Sequence, residues 1–130
     1  MLQRDYILEI VGQFVEGVSD SLRRAASGDV SGAGDVERQI GELLDLDAGT
    51  ALALSPDSLV TMMLLSGMGD SVASYVCYAL ERLSRVYERA GEEDLAGLRA
   101  LQARAVAESF NCDPADVPAE LAELDASLFS

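Results

Sequence analysis

Apolar residues recur at helical spacing from the first turns of the chain onward. Ile7, Val11, Phe14, Val18 and Leu22 form one stripe, and Tyr6, Ile10 and Val15 widen it. Asp5, Glu9, Gln13, Glu16 and Asp20 take the opposite side. The pattern predicts a long N-terminal helix within residues 1–26, with Arg23 and Arg24 in a last turn whose dipole favours cations. A stripe this broad fits two arrangements: one intramolecular core, or a helix packed on two sides, one of them on another subunit. Gly12 and Gly17 each weaken this helix by roughly 1 kcal/mol relative to Ala, and they offer room for close helix approach.

Residues 27–34, SGDVSGAG, carry turn chemistry and predict a Ser/Gly linker. A helical body over 35–130 follows. Its first helix starts near Asp35, with Val36, Ile40, Leu43 and Leu44 on one face, and residues 45–54 read equally as loop or loose helix. Ser55-Pro56-Asp57 is a sharper start: an N-cap, a proline suited to the first helical position, and an acid that complements the dipole. The short helix after it carries Leu59, Val60, Met62, Met63 and Leu65 and stops at Ser66-Gly67-Met68-Gly69. Asp70 or Ser71 then caps a helix running to about Ala90, with Val72, Val76, Cys77, Leu80, Leu83 and Tyr87 inward. Gly91 ends it. A return helix over about 92–110 points Leu95, Leu98, Leu101, Ala105 and Val106 inward, and Pro118 opens a last short helix with Leu121 and Leu124. The fold class is therefore all-α, a single-domain bundle of five to six helices.

The pair over about 70–110 resembles one tetratricopeptide (TPR) hairpin. Leu80, Leu83, Tyr87, Gly91, Ala96 and Ala103 stand at that family's spacings. Ser84 replaces its glycine, Ala100 its aromatic residue and Glu108 its closing proline. No second copy occurs, and a solenoid needs about three units to close its core, so the resemblance implies a lone hairpin and not an array. The chain as a whole is similar to a family of small bacterial proteins, a domain of unknown function. The similarity rests on Gln3-Arg4-Asp5-Tyr6-Ile7, on Leu43-Leu44-Asp45 leading to Leu54-Ser55-Pro56-Asp57-Ser58-Leu59, and on the hairpin. It implies a helical fold with a TPR-like end and supplies no activity or site residues.

Charge narrows the choice of partners. The chain of 130 residues carries a net −14. Residues 35–70 hold seven acids against Arg38 alone, and residues 108–130 hold six acids and no base. A field of this sign repels nucleic acid and anionic membrane surfaces. No segment approaches 18 uninterrupted apolar residues, and the opening MLQRDYILEIVGQF is broken by Glu9 and Gln13 where a signal peptide would be apolar. A cytoplasmic protein is expected, with Cys77 and Cys112 as two buried or half-buried thiols rather than a disulfide.

The residues that carry chemistry are sparse. His and Lys are both absent, which removes the commonest general base, the Schiff-base amine and the phosphate-loop lysine. Asp45-x-Asp47-x-Gly49 fails the calcium-loop frame, which needs glycine sixth and Glu twelfth. Gly32-Ala33-Gly34 and Gly67-Met68-Gly69 lack the third glycine of a dinucleotide fingerprint and read as turns. The acids Glu92, Glu93 and Asp94 suit a helix N-terminus for the dipole alone, and Asp113 and Asp116 lie near a cap. No cofactor or metal is expected.

The leading expectation is a non-catalytic helical protein that works by protein–protein contact, most simply self-association as a homodimer through the N-terminal helix. Tyr6, Ile10 and Phe14 are its candidate contact residues there. Tyr75 and Tyr78, off the main stripe of their helix, are the candidates for a second exposed patch, and Met62, Met63 and Met68 fit either a core or an adaptable contact surface. Two alternatives stand beside it. A carboxylate-based hydrolase requires two acids facing across a cleft, one with a raised pKa. A TPR-like peptide-binding module requires a continuous exposed apolar groove.

Overall fold

Capping residues set most of the helix boundaries in the computed structural model. It describes residues 2–67 and 69–129, with the side chains of residues 2–5 and Val30 outside the described set. The helices are α1 (Leu2–Ala26), α2 (Val30–Leu44), α3 (Ala48–Ala51), α4 (Pro56–Ser66), α5 (Gly69–Arg89), α6 (Glu93–Phe110) and α7 (Ala122–Phe129), with a 3-10 turn over Ala119–Leu121. No strand occurs among the described residues. The fold is all-α, as the periodicity predicts, with one helix beyond the expected five to six. The addition is α3, a single turn that Asp47 starts by accepting from the Thr50 amide.

The Ser/Gly linker predicted over 27–34 shrinks to a turn over 27–29. Asp29 is extended at φ −82° and accepts from the Ser31 amide, which starts α2 five residues earlier than Asp35. Of the glycines that read as turn signals, Gly28 does lie in the turn at φ 99°, while Gly32 serves packing. A Cβ on Gly32 would come within 2.5 Å of the Ala25 amide nitrogen and 2.7 Å of the Ser21 carbonyl, so glycine is what lets α2 lie against the end of α1. The close-approach role expected of Gly12 does not hold, because a Cβ there meets nothing within 4 Å.

Ser55 caps α4 as the sequence implies, and Pro56 occupies its first turn. Asp70 and Ser71, the predicted caps, lie inside α5, which already includes Gly69. That glycine sits against Phe110, whose ring a Cβ would meet at 2.5 Å. Met68, expected beside Met62 and Met63, lies outside the described residues. Gly91 at φ 81° and Asn111 at φ 57° adopt the left-handed conformation that ends a helix.

Helix α5 is the centre of the bundle. It pairs with α6 across the Gly91 turn and packs on α2, α1 and α4, while α1 pairs with α2 and α4 lies along α6. Val72, Val76, Tyr78, Ala79, Leu80 and Leu83 of α5 are all fully buried. They join Val18, Leu22, Val36, Ile40, Leu59, Met63, Val106 and Leu121 in one core. At the position where the TPR pattern has glycine, the Ser84 hydroxyl donates to the Ala96 carbonyl across the pair at 2.8 Å.

Candidate functional site

The inward row of α6 is partly polar. Ala96, Arg99, Gln102, Ala103 and Val106 are buried, whereas Leu101, expected inward, is 54% exposed. The row follows i, i+3, i+4 from Ala96, and Leu101 falls outside it. Arg99 Nε and Nη2 donate to Glu37 Oε2 at 3.1 and 2.7 Å. The Tyr87 hydroxyl donates to the same oxygen at 2.8 Å. Arg99 Nη1 reaches the Leu52 carbonyl at 2.7 Å and Gln102 Oε1 at 2.9 Å. Gln102 Nε2 donates to the carbonyls of Leu52 and Leu54. Two polar side chains thus hold the loop between α3 and α4, and an ion pair ties α6 to α2. The pair lies at the floor of an open cleft of about 500 Å3 between α2, α3 and α6. Leu52, Leu95 and Leu98 form its apolar walls.

A second network of the same composition closes the other side of α5. Arg82 Nε donates to Asp125 Oδ1 at 2.6 Å and Nη2 to Oδ2 at 3.3 Å. The Tyr78 hydroxyl donates to Asp125 Oδ1 at 2.9 Å. Arg82 also pairs with Glu81, and its guanidinium lies 4.6 Å over the Tyr78 ring. Burial alone would raise the Asp125 carboxyl, but the bonds from Arg82 and Tyr78 outweigh it and hold the pKa below the ordinary value. Burial, reinforced by the carboxylates they bond, raises the Tyr78 and Tyr87 hydroxyls well above the ordinary tyrosine value. Tyr75, bonded to Glu120 at 2.6 Å, rises to about 12, mainly by burial.

The five candidate contact residues divide. Tyr6 is 53% exposed. Ile10 is half-buried and packs against the core. Phe14 is buried, edge-on to the Tyr75 ring at 6.3 Å, so its side of the apolar stripe packs within the chain. Tyr78 is a correction: none of it is exposed, because α7 covers the side of α5 that would be free in an isolated hairpin. Tyr75 is half-buried, with its hydroxyl held by Glu120.

Exposed apolar surface lies elsewhere. Leu8, near the start of α1, is 61% exposed, on a different side of the helix from Tyr6. On α4, Leu59, Val60 and Met63 are buried, while Met62, Leu64 and Leu65 are exposed, the two leucines at 60% and 77%. No protein-family model, curated protein or solved structure matches the chain.

The remaining chemistry is inert or structural. Cys77 is buried and Cys112 half-buried, both free thiols. Burial pushes the Cys77 thiol up to about 12, away from the thiolate that attack requires. The hydrogen bonds the fold gives the Asp29, Asp35, Glu120 and Asp125 carboxyls hold all four below their ordinary values. Among the described residues no three His, Cys, Asp or Glu side chains gather as they would round a metal ion. No helix among them is long and apolar enough to cross a membrane.

The sequence reading passed over Arg99, Gln102 and Glu37. The signal was available for two of them: Arg99 and Gln102 fall on the same helical row as Ala96, Ala103 and Val106. A charged residue on an inward row needs a partner.

Proposed function

We propose that this chain is a non-catalytic helical module that works by protein–protein contact. The observation that supports the reading is α4. Six large apolar side chains lie on its 11 residues, and Met62, Leu64 and Leu65 are exposed by 37%, 60% and 77%. A helix that is apolar all round belongs inside a core, and a half-covered one leaves surface for a partner. On α1, Tyr6 is exposed while Ile10 is half-buried and Phe14 buried, which weakens the case for a homodimer through the N-terminal helix.

The hydrolase reading has less to stand on. The acid at the floor of the cleft, Glu37, already accepts three donors on one oxygen, an arrangement that fixes it as an ion-pair partner. The test compares wild type with Leu64→Ser/Leu65→Ser, by light scattering on the pure chain and by quantitative cross-linking in native lysate. The reading stands if wild type forms discrete assemblies, with itself or another protein, that the variant loses. Identical lone monomers in both would overturn it.

A further inference from the structure

The outer face of α4 also carries information about what covers it. It has no cation along its length, and Asp57 lies in its first turn. Asp70 follows just past its end. Both acids are exposed and form no ion pair among the described residues, unlike Asp35 and Glu37, which Arg24, Arg38 and Arg99 occupy. A shallow groove of about 320 Å3 runs beside Asp57, Thr61 and Met62. On the neighbouring α6, exposed Arg104 and Glu108 cancel. The outer half of α4 therefore presents Leu65 and Thr61 between Met62 and Leu64 on its two flanks, with Asp57 in its first turn and Asp70 at the start of the next helix.

A second copy of this chain would bring these acids against themselves and set a net −14 against −14. A basic partner gains from the same field. No sheet edge is offered among the described residues, so an added strand has nothing to pair with. A second helix can seat apolar anchors between Met62 and Leu65, one turn apart on α4, by ridge-and-groove packing. Methionine adapts such a groove to side chains of different shape. Resting on the contact reading above, we infer that α4 docks a basic amphipathic helix of another protein. Apolar side chains of that helix lie on Met62, Leu64 and Leu65, and its cations lie near Asp57 and Asp70.

The test titrates the full chain into a fluorescein-labelled Leu/Lys amphipathic peptide of about 14 residues, a length that forms a helix when docked. A Leu/Glu peptide of the same pattern is the control. The Leu/Lys peptide should bind, and Leu64→Ser/Leu65→Ser should weaken it about tenfold, the loss of one or two interface anchors. Asp57→Asn/Asp70→Asn should weaken it by a smaller factor, and that factor should disappear in high salt. All of the substituted positions are exposed, and circular dichroism checks that the variants remain folded.

Equal binding of the Leu/Lys peptide by wild type and the serine variant would overturn the proposal as bulk charge attraction. Equal binding of the Leu/Glu peptide would overturn the basic partner while leaving α4 as a contact surface. A wild-type dimer that the serine variant dissolves would name a second copy as the occupant, overturning the basic partner and keeping the contact reading. No binding of either peptide, with wild type monomeric, would overturn both.

Discussion

Glu37 collects three donors on a single oxygen, and this concentration makes its loss costly. Glu37→Ala would leave the Arg99 guanidinium buried with only carbonyl partners. The expected loss is on the order of 3 kcal/mol of unfolding free energy, read from urea midpoints. Glu37→Gln, whose amide oxygen still accepts, should lose less. The titrating groups set both ends of the pH profile. Asp125 has a folded pKa below its unfolded value, so its contribution is complete above about pH 4 and is lost as pH falls through the folded value. Tyr78 and Tyr87 have folded values above their unfolded ones. Their contribution is complete below about pH 10 and is lost as pH rises through the folded values. Urea midpoints across the pH range should therefore fall at both ends. Asp125→Asn should flatten the acid limb and Tyr87→Phe the alkaline one. These pairings were beyond sequence reading, because Arg99 and Glu37 stand 62 residues apart and nothing local to either specifies the other.

Glycine acts in opposite directions on different helices. Gly12 sits within α1 with open space around its missing side chain, so Gly12→Ala should stabilise by about 1 kcal/mol through helix propensity alone. Gly32 lies where α2 meets the α1 backbone, and Gly32→Ala should destabilise by about 1–3 kcal/mol, since backbone must move to admit the methyl. Thermal unfolding of the two variants checks both signs. Ordinary propensity would stabilise both, so only close packing separates them. The same distinction governs what could be read in advance. Helices α1, α4, α5 and α6 were readable because their apolar rows repeat and their ends carry Ser55-Pro56, Gly91 and Asn111. The start of α2 was misread because SGDVSGAG has turn composition, and only the proximity of Ala25 shows why a glycine stands at position 32 of the helix. The covering of Tyr78 was equally unreadable, because helical phase gives the direction of a side chain and not which other element arrives there. The candidate contact surface was seen only in part: Met62 and Leu65 were noted, but their outward facing depends on where α6 lies.

At the scale of the whole molecule, charge opposes folding and favours a partner, so salt should act on the two with opposite signs. A net charge of −14 on a chain this small destabilises the compact state by self-repulsion, and chloride salts screen it, with a Debye length of about 10 Å at 0.1 M. The Arg99–Glu37 and Arg82–Asp125 pairs lose less to screening, because each arginine side chain is nearly enclosed, at 6% and 3% exposure. Thermal midpoints followed by circular dichroism should therefore rise as sodium chloride is added. A fall would show that half-exposed pairs such as Arg24–Asp35 matter more than the overall repulsion. Affinity for a basic helix on α4 should decline over the same salt series, because its ionic contribution is screened while its apolar contribution is not. Salt that tightens the fold while loosening the complex would separate electrostatic recruitment at Asp57 and Asp70 from a general change in stability. If both responses share a sign, the peptide is reporting on folding and not on docking.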